Sequence, residues 1–151
     1  MREYFDPGDS LIAEMLLLAA IIWFTVYVEH WTYRRTEKQK EQKERKNLII
    51  FIDDDLKQTL RFIDESQQFK DYKPFFTDMW DAVVLAGNQS LLPFNVFQNL
   101  QRTYSWMKYY NNELDITNKS GKIDEKVLEG LLLDVRKQIK GSLTLLEVDA
   151  K

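Results

Sequence analysis

Asp53, Asp54 and Asp55 stand in a row, and Asp64 and Glu65 follow on the same stretch, the densest cluster of reactive side chains in the chain. On a helix the second pair lies about three turns beyond the first group and on the same side, a surface able to hold Mg²⁺ and support metal-assisted hydrolysis. That chemistry also needs a second acidic helix at matching spacing, a histidine or a glycine-rich phosphate loop; the sequence supplies no such helix or loop, and its one histidine, His30, lies 23 residues before the row. The row therefore reads as a solvated acidic face suited to contact with another protein, with a metal-dependent hydrolase on Asp53, Asp54 and Asp55 as the enzymatic alternative. No catalysis, metal or cofactor is expected.

Other chemistry is thin. The 151 residues include no Cys and one His, which removes disulfides, thiolate zinc sites, iron–sulfur clusters, cysteine nucleophiles and most imidazole relays. His30, beside Trp31, reads as an interfacial residue rather than a pH sensor. The nucleotide-binding, serine-hydrolase and zinc-peptidase signatures are absent, as is an R-x-x-x-x-H nuclease pattern. Residues 116–127 match a twelve-residue calcium loop at Asn118, Ser120, Gly121, Ile123 and Asp124, yet Ile116 and Val127 occupy the two places where carboxylate ligands belong. That segment reads as an Asn/Ser/Gly turn leading into the last helix. Trp80, Phe94, Phe97, Tyr104, Trp106, Tyr109 and Tyr110 form an aromatic stripe that reads mostly as core, with a ligand groove as the alternative. Trp106, Tyr109 and Tyr110, near a helix end, join the three aspartates as a candidate interaction surface.

The elements that carry these residues begin with residues 11–28, LIAEMLLLAAIIWFTVYV, apolar on all sides and interrupted by one charge, Glu14. Eighteen residues at about 1.5 Å each reach the thickness of a bilayer's hydrocarbon core. Trp23, Tyr27, Trp31 and Tyr33 then form an aromatic belt, and Arg34 and Arg35 follow directly. Pro7, Gly8, Asp9 and Ser10 precede the run as a breaker and cap cluster, and MREYFDPGDS lacks the basic region of a cleavable signal. Glu14, about one turn inside, reads as interfacial, with a pore-lining or partner-pairing carboxylate as the sharper alternative.

Net charge is −3, unevenly spread: residues 1–33 hold one Arg and five acids, 34–47 seven Lys/Arg and three Glu, and 48–151 thirteen bases and sixteen acids. By the positive-inside rule this places the N-terminus outside and the C-terminal part in the cytoplasm, with the span in the inner membrane. The expected organisation is a short extracytoplasmic tail over 1–9, a transmembrane helix over 10–33, a charged helical stalk over 34–47 and a cytoplasmic helical domain over 48–151. The stalk alternates basic residues with Glu and has no interleaved aromatics, so it suits anionic lipid headgroups rather than nucleic acid.

Within 48–151, apolar residues recur at helical spacing over a segment ending near Phe69, then about 74–86, 93–112 and 123–148. Loops are expected over 69–73, 87–92 and 113–122. No stretch alternates with period two, so the fold class is all-α: a membrane helix continuing through the stalk into a small antiparallel, four-helix-type bundle. Gly130 and Gly141 fall on nearly one helix face, where they either admit a close neighbour or weaken the helix.

This layout, with Trp80, Gly87 and the run Leu92, Phe97, Leu100, Tyr104 and Asn111, resembles uncharacterised prokaryotic small single-pass membrane proteins with a helical cytoplasmic domain. The resemblance covers residues 10–112 and implies location, not activity. The expected function is a membrane-anchored interaction or regulatory protein that binds another protein or itself. A self-assembling membrane effector or channel subunit, with residues 11–33 lining a pore, is the alternative.

Overall fold

A computed structural model describes residues 7–121 and 124–149, with side chains from Leu11 onward. Every long element is helical, and no strand occurs among the described residues. Helix α1 runs Pro7–Phe69, α2 Asp78–Leu85, α3 Phe94–Ser120 and α4 Glu125–Asp149, with a 3₁₀ turn at Asn88–Leu91. The chain divides into two compact units, Met1–Gln42 and Lys43–Lys151.

Helix α1 passes unbroken through 34–47 because that stretch holds neither Gly nor Pro and is made almost wholly of strong helix formers. It starts at Pro7, ahead of the boundary expected at residue 10, and the caps expected at Asp9 or Ser10 involve side chains outside those described. Its end is set by Lys70, whose φ of 53° turns the chain left-handed and stops the helical ladder.

The second unit has one apolar core. Ile52, Leu56 and Ile63 of α1, Leu100 and Met107 of α3, and Leu128, Leu132 and Ile139 of α4 are fully or almost fully buried in it. Helix α2 adds Trp80 and Val83 as buried residues, with Met79 and Val84 packed against the core at its margin. Arg45 pairs with Asp149, and Lys70 with Glu125, so α4 runs against α1. At the α3–α4 contact, Thr103 and Ser142 hydroxyls lie 2.7 Å apart, and Ser142 donates to Asn99 Oδ1 at 2.6 Å. This polar cluster couples the start of α3 to the end of α4, so these two also run in opposite directions and every buried hydroxyl in it has a partner.

Two further boundaries differ from the sequence reading. Helix α2 starts at Asp78 rather than 74, because the Asn111 side chain takes both backbone groups of Phe75: Phe75 N donates to Asn111 Oδ1 at 2.7 Å, and Asn111 Nδ2 donates to Phe75 O at 2.9 Å. A backbone engaged this way cannot join a helical ladder. Helix α3 continues past 112 to Ser120, burying Leu114 and absorbing most of the expected loop. Asn118 is therefore helical, and the calcium-loop geometry does not arise. Ile123, expected to open the last helix, lies outside the described residues.

Helical spacing over 74–86, 93–112 and 123–148 puts Phe76, Phe94 and Val127 on apolar faces, yet all three are exposed. Phe76 precedes α2 rather than lying in it, while Phe94 and Val127 sit in the first turns of α3 and α4. Gly130 and Gly141 admit no close neighbour, since nothing lies within 4 Å of a Cβ built at either. Gly130→Ala should therefore raise stability by about 0.5–1 kcal/mol through helix propensity. Gly121→Ala should lower it by about 1–2 kcal/mol, because Gly121 caps α3 at φ 67°. Urea unfolding of the two variants checks this, and shifts of the same sign would contradict it.

Candidate functional site

Three places carry polar chemistry. The first is the N-terminal part of α1, where the side chains of residues 11–28 are exposed throughout. The one aliphatic hydroxyl there, Thr25, donates to Ile21 O at 2.8 Å and so needs no outside partner. Trp23 and Tyr27 stack at 5.6 Å, the Arg35 guanidinium lies 5.5 Å from the centre of the Trp31 ring, and Tyr33 donates to Glu37 at 3.0 Å. Aromatic and charged groups thus gather, as separate pairs along the helix, into a collar at one end of the apolar stretch. Glu14, His30 and Arg34 are exposed on the same helix.

The second is the aspartate row, which the structure splits into three environments. Asp53 pairs with Lys57 at 2.6 Å, and Asp54 is exposed. Asp55 is half-buried and accepts a hydrogen bond from Tyr104 at 2.6 Å. Asp64 is drawn to Arg136, which also donates to Gln67 at 3.2 Å. Among the described residues no three His, Cys, Asp or Glu side chains converge as metal ligands, and the three aspartates do not share one environment.

Tyr104 is held from behind. Its ring stacks on Trp80 at 5.1 Å with 3° between planes, Trp80 stacks on Phe97 at 6.0 Å, and Trp80 Nε1 donates to Gln101 at 3.0 Å. Burial, then the Asp55 hydrogen bond, pushes the Tyr104 phenol far above its ordinary value, so it stays a donor at any physiological pH. Burial raises the Asp55 carboxyl as well, with the Tyr104 hydrogen bond opposing.

Trp106 and Tyr109 meet edge to face at 6.0 Å, with Tyr109 exposed. Tyr110 is not on that surface. It is fully buried against Phe75 at 4.8 Å, and burial pushes its phenol up to about 12. Its place on α3 is one helical step from Tyr109, which turns it inward.

The third place was not legible in the sequence: a cleft of about 200 Å³ beside Asp55, lined by Gln58, Thr59, Phe62, Pro74, Phe75 and Phe76. Its walls are the second half of α1 and the non-helical residues 71–77, and Asp55 is its only charged lining residue. Asn111 fixes one wall by clamping Phe75, and Tyr104 fixes Asp55.

A pH prediction follows from the Asp55 environment. A carboxyl whose pKa is raised by folding binds a proton more tightly in the folded chain, so its contribution favours folding at acid pH and is lost as pH rises through the raised value. Asp55→Asn, which keeps an acceptor for Tyr104, should unfold at a higher urea concentration than the parent at pH 7. That advantage should vanish below about pH 4, the ordinary carboxylate range. An advantage equal at both pH values would show that Asp55 is not the group responsible. No protein-family model, curated protein sequence or solved structure matches this chain, so its residues alone speak for its function.

Proposed function

We propose that this chain is a single-pass membrane protein whose helix over 10–33 is a retained anchor. In this reading the unit from Lys43 on is a cytoplasmic helical bundle that binds another protein or itself and performs no catalysis. The observation that carries the reading is the exposure of residues 11–28: Leu16 and Trp23 are 67% and 69% exposed, and no residue of the stretch is buried. Apolar surface left in water costs about 25 cal/mol per Å², so a run exposed on all sides calls for a lipid environment. The internally bonded Thr25 hydroxyl and the aromatic and basic collar support the same placement. The seven Lys/Arg of 34–47 then face the anionic headgroups of the cytoplasmic leaflet.

Because the chain has no Cys, single introduced thiols report topology without background. A membrane-impermeant maleimide should label Tyr4→Cys in intact cells, and Ser105→Cys only after lysis. A shortened soluble product would overturn the anchor, and reversed labelling would overturn the orientation. Glu14, the one charge inside the apolar stretch, favours a second reading in which the chain assembles and residues 11–33 line a pore. On that reading Glu14→Ala abolishes conductance in planar bilayers while membrane insertion is unchanged. A monomeric mass in detergent by light scattering argues against it.

A further inference from the structure

We infer that the cleft between the second half of α1 and residues 71–77 is a receptor site for an organic cation, an alkylammonium or guanidinium group seated on Asp55 among the phenylalanines that line it. This goes beyond the anchoring reading and does not depend on it.

The charge balance of the cleft points this way. Asp55 is the one charged residue lining it, half-buried, and no base faces it from the lining. The lysines that directly adjoin lining residues in the chain, Lys57 beside Gln58 and Lys73 beside Pro74, are engaged elsewhere, Lys57 with Asp53 at 2.6 Å and Lys73 with Asp71 at 2.5 Å. A carboxylate has about four acceptor sites, and the Tyr104 hydroxyl occupies one. The Thr59 hydroxyl, although adjacent, donates to the backbone oxygen of Asp55 at 2.9 Å instead of to the carboxylate. A desolvated anion with acceptor capacity left over is stabilised by an incoming donor that carries positive charge.

The walls select the kind of cation. Phe62 and Phe75 meet edge to face at 5.4 Å, and Phe76, 82% exposed, stands at the cleft. Aromatic faces attract a cation with an apolar skirt and offer nothing to a hydrated divalent ion, which needs several oxygen ligands. A volume of about 200 Å³ suits a lysine-length group and is below the range of about 300–1,000 Å³ typical of larger ligands. The site is also preorganised: Asn111 holds the Phe75 backbone through two hydrogen bonds, and the Trp80 stack holds Tyr104.

The same chemistry is presented by a basic segment of a polypeptide, such as the seven Lys/Arg of 34–47 on a second copy, and by a free polyamine. The test uses the full chain in maltoside micelles and follows ligand-observed NMR. n-Butylammonium should bind saturably, whereas n-butanol, of like size and apolarity, should not saturate. Asp55→Asn should weaken n-butylammonium binding about tenfold. Phe76→Leu, at a site too exposed to disturb folding, should weaken it about threefold. Equal saturation by n-butanol, or n-butylammonium binding unchanged in both variants, overturns the assignment. Competition then separates the sources. Displacement of n-butylammonium by a peptide of residues 34–47 at far lower concentration than spermidine marks a polypeptide cation, and the reverse order marks a free polyamine. Displacement by neither overturns the assignment.

Discussion

Trp80→Ala should destabilise the unit from Lys43 on by about 3–5 kcal/mol, the usual range for emptying a buried Trp site, against a total stability of about 5–15 kcal/mol for such a unit. Trp80 is 2% exposed, is the largest side chain in the core and supports two stacked rings. Its removal leaves a void lined by Phe97 and Tyr104. It also unseats Tyr104 and, through it, Asp55. The urea midpoint should fall by about 2 M at the slopes typical of small domains. Phe76→Ala, four residues earlier and 82% exposed, provides the contrast and should change stability by no more than about 0.5 kcal/mol. Equal losses for the two would mean that Trp80 is not seated as described.

The second large effect concerns the proposed anchor. Leu18→Arg combined with Ile21→Arg places two charges in the middle of the apolar stretch, each costing about 3 kcal/mol for insertion relative to an apolar residue. The double variant should move from carbonate-washed membranes into the soluble or aggregated fraction, whereas the matching double Ala variant should stay in the membrane. Neither change touches the core around Trp80, so the urea midpoint of the second unit should be the same in both. Retention of the double Arg chain in washed membranes would defeat the transmembrane reading.

Helix content was largely legible in the chain because it depends on local terms. Residues 34–47 contain no residue that breaks a helix, and Ile52, Leu56 and Ile63 recur at the spacing that buries one stripe, as the structure finds. The same logic misplaced residues wherever a helix did not extend as far as its pattern. Phe76 follows Phe75 in the chain, yet one is buried and the other exposed. Spacing counted from Trp80 placed Phe76 on the apolar side of a helix that in fact begins at Asp78. The candidate site was less legible still. Asp53, Asp54 and Asp55 are identical in type and adjacent, and their sequence neighbours do not reveal that one pairs with a lysine, one faces solvent and one is half-buried under a tyrosine.

Local chemistry along the chain was enough to establish an all-helical protein with one long apolar helix near the N-terminus and a basic stretch following it. Length, side-chain type and spacing within a few turns decide those properties, because helix propensity and hydration act residue by residue. The cleft at Asp55 arose only on folding. Tyr104 stands 49 residues from Asp55, and Asn111 stands 36 from Phe75. A carboxylate is desolvated, and a backbone is pulled out of a helical ladder, by whichever distant groups the packing brings to it, and no local pattern records their arrival.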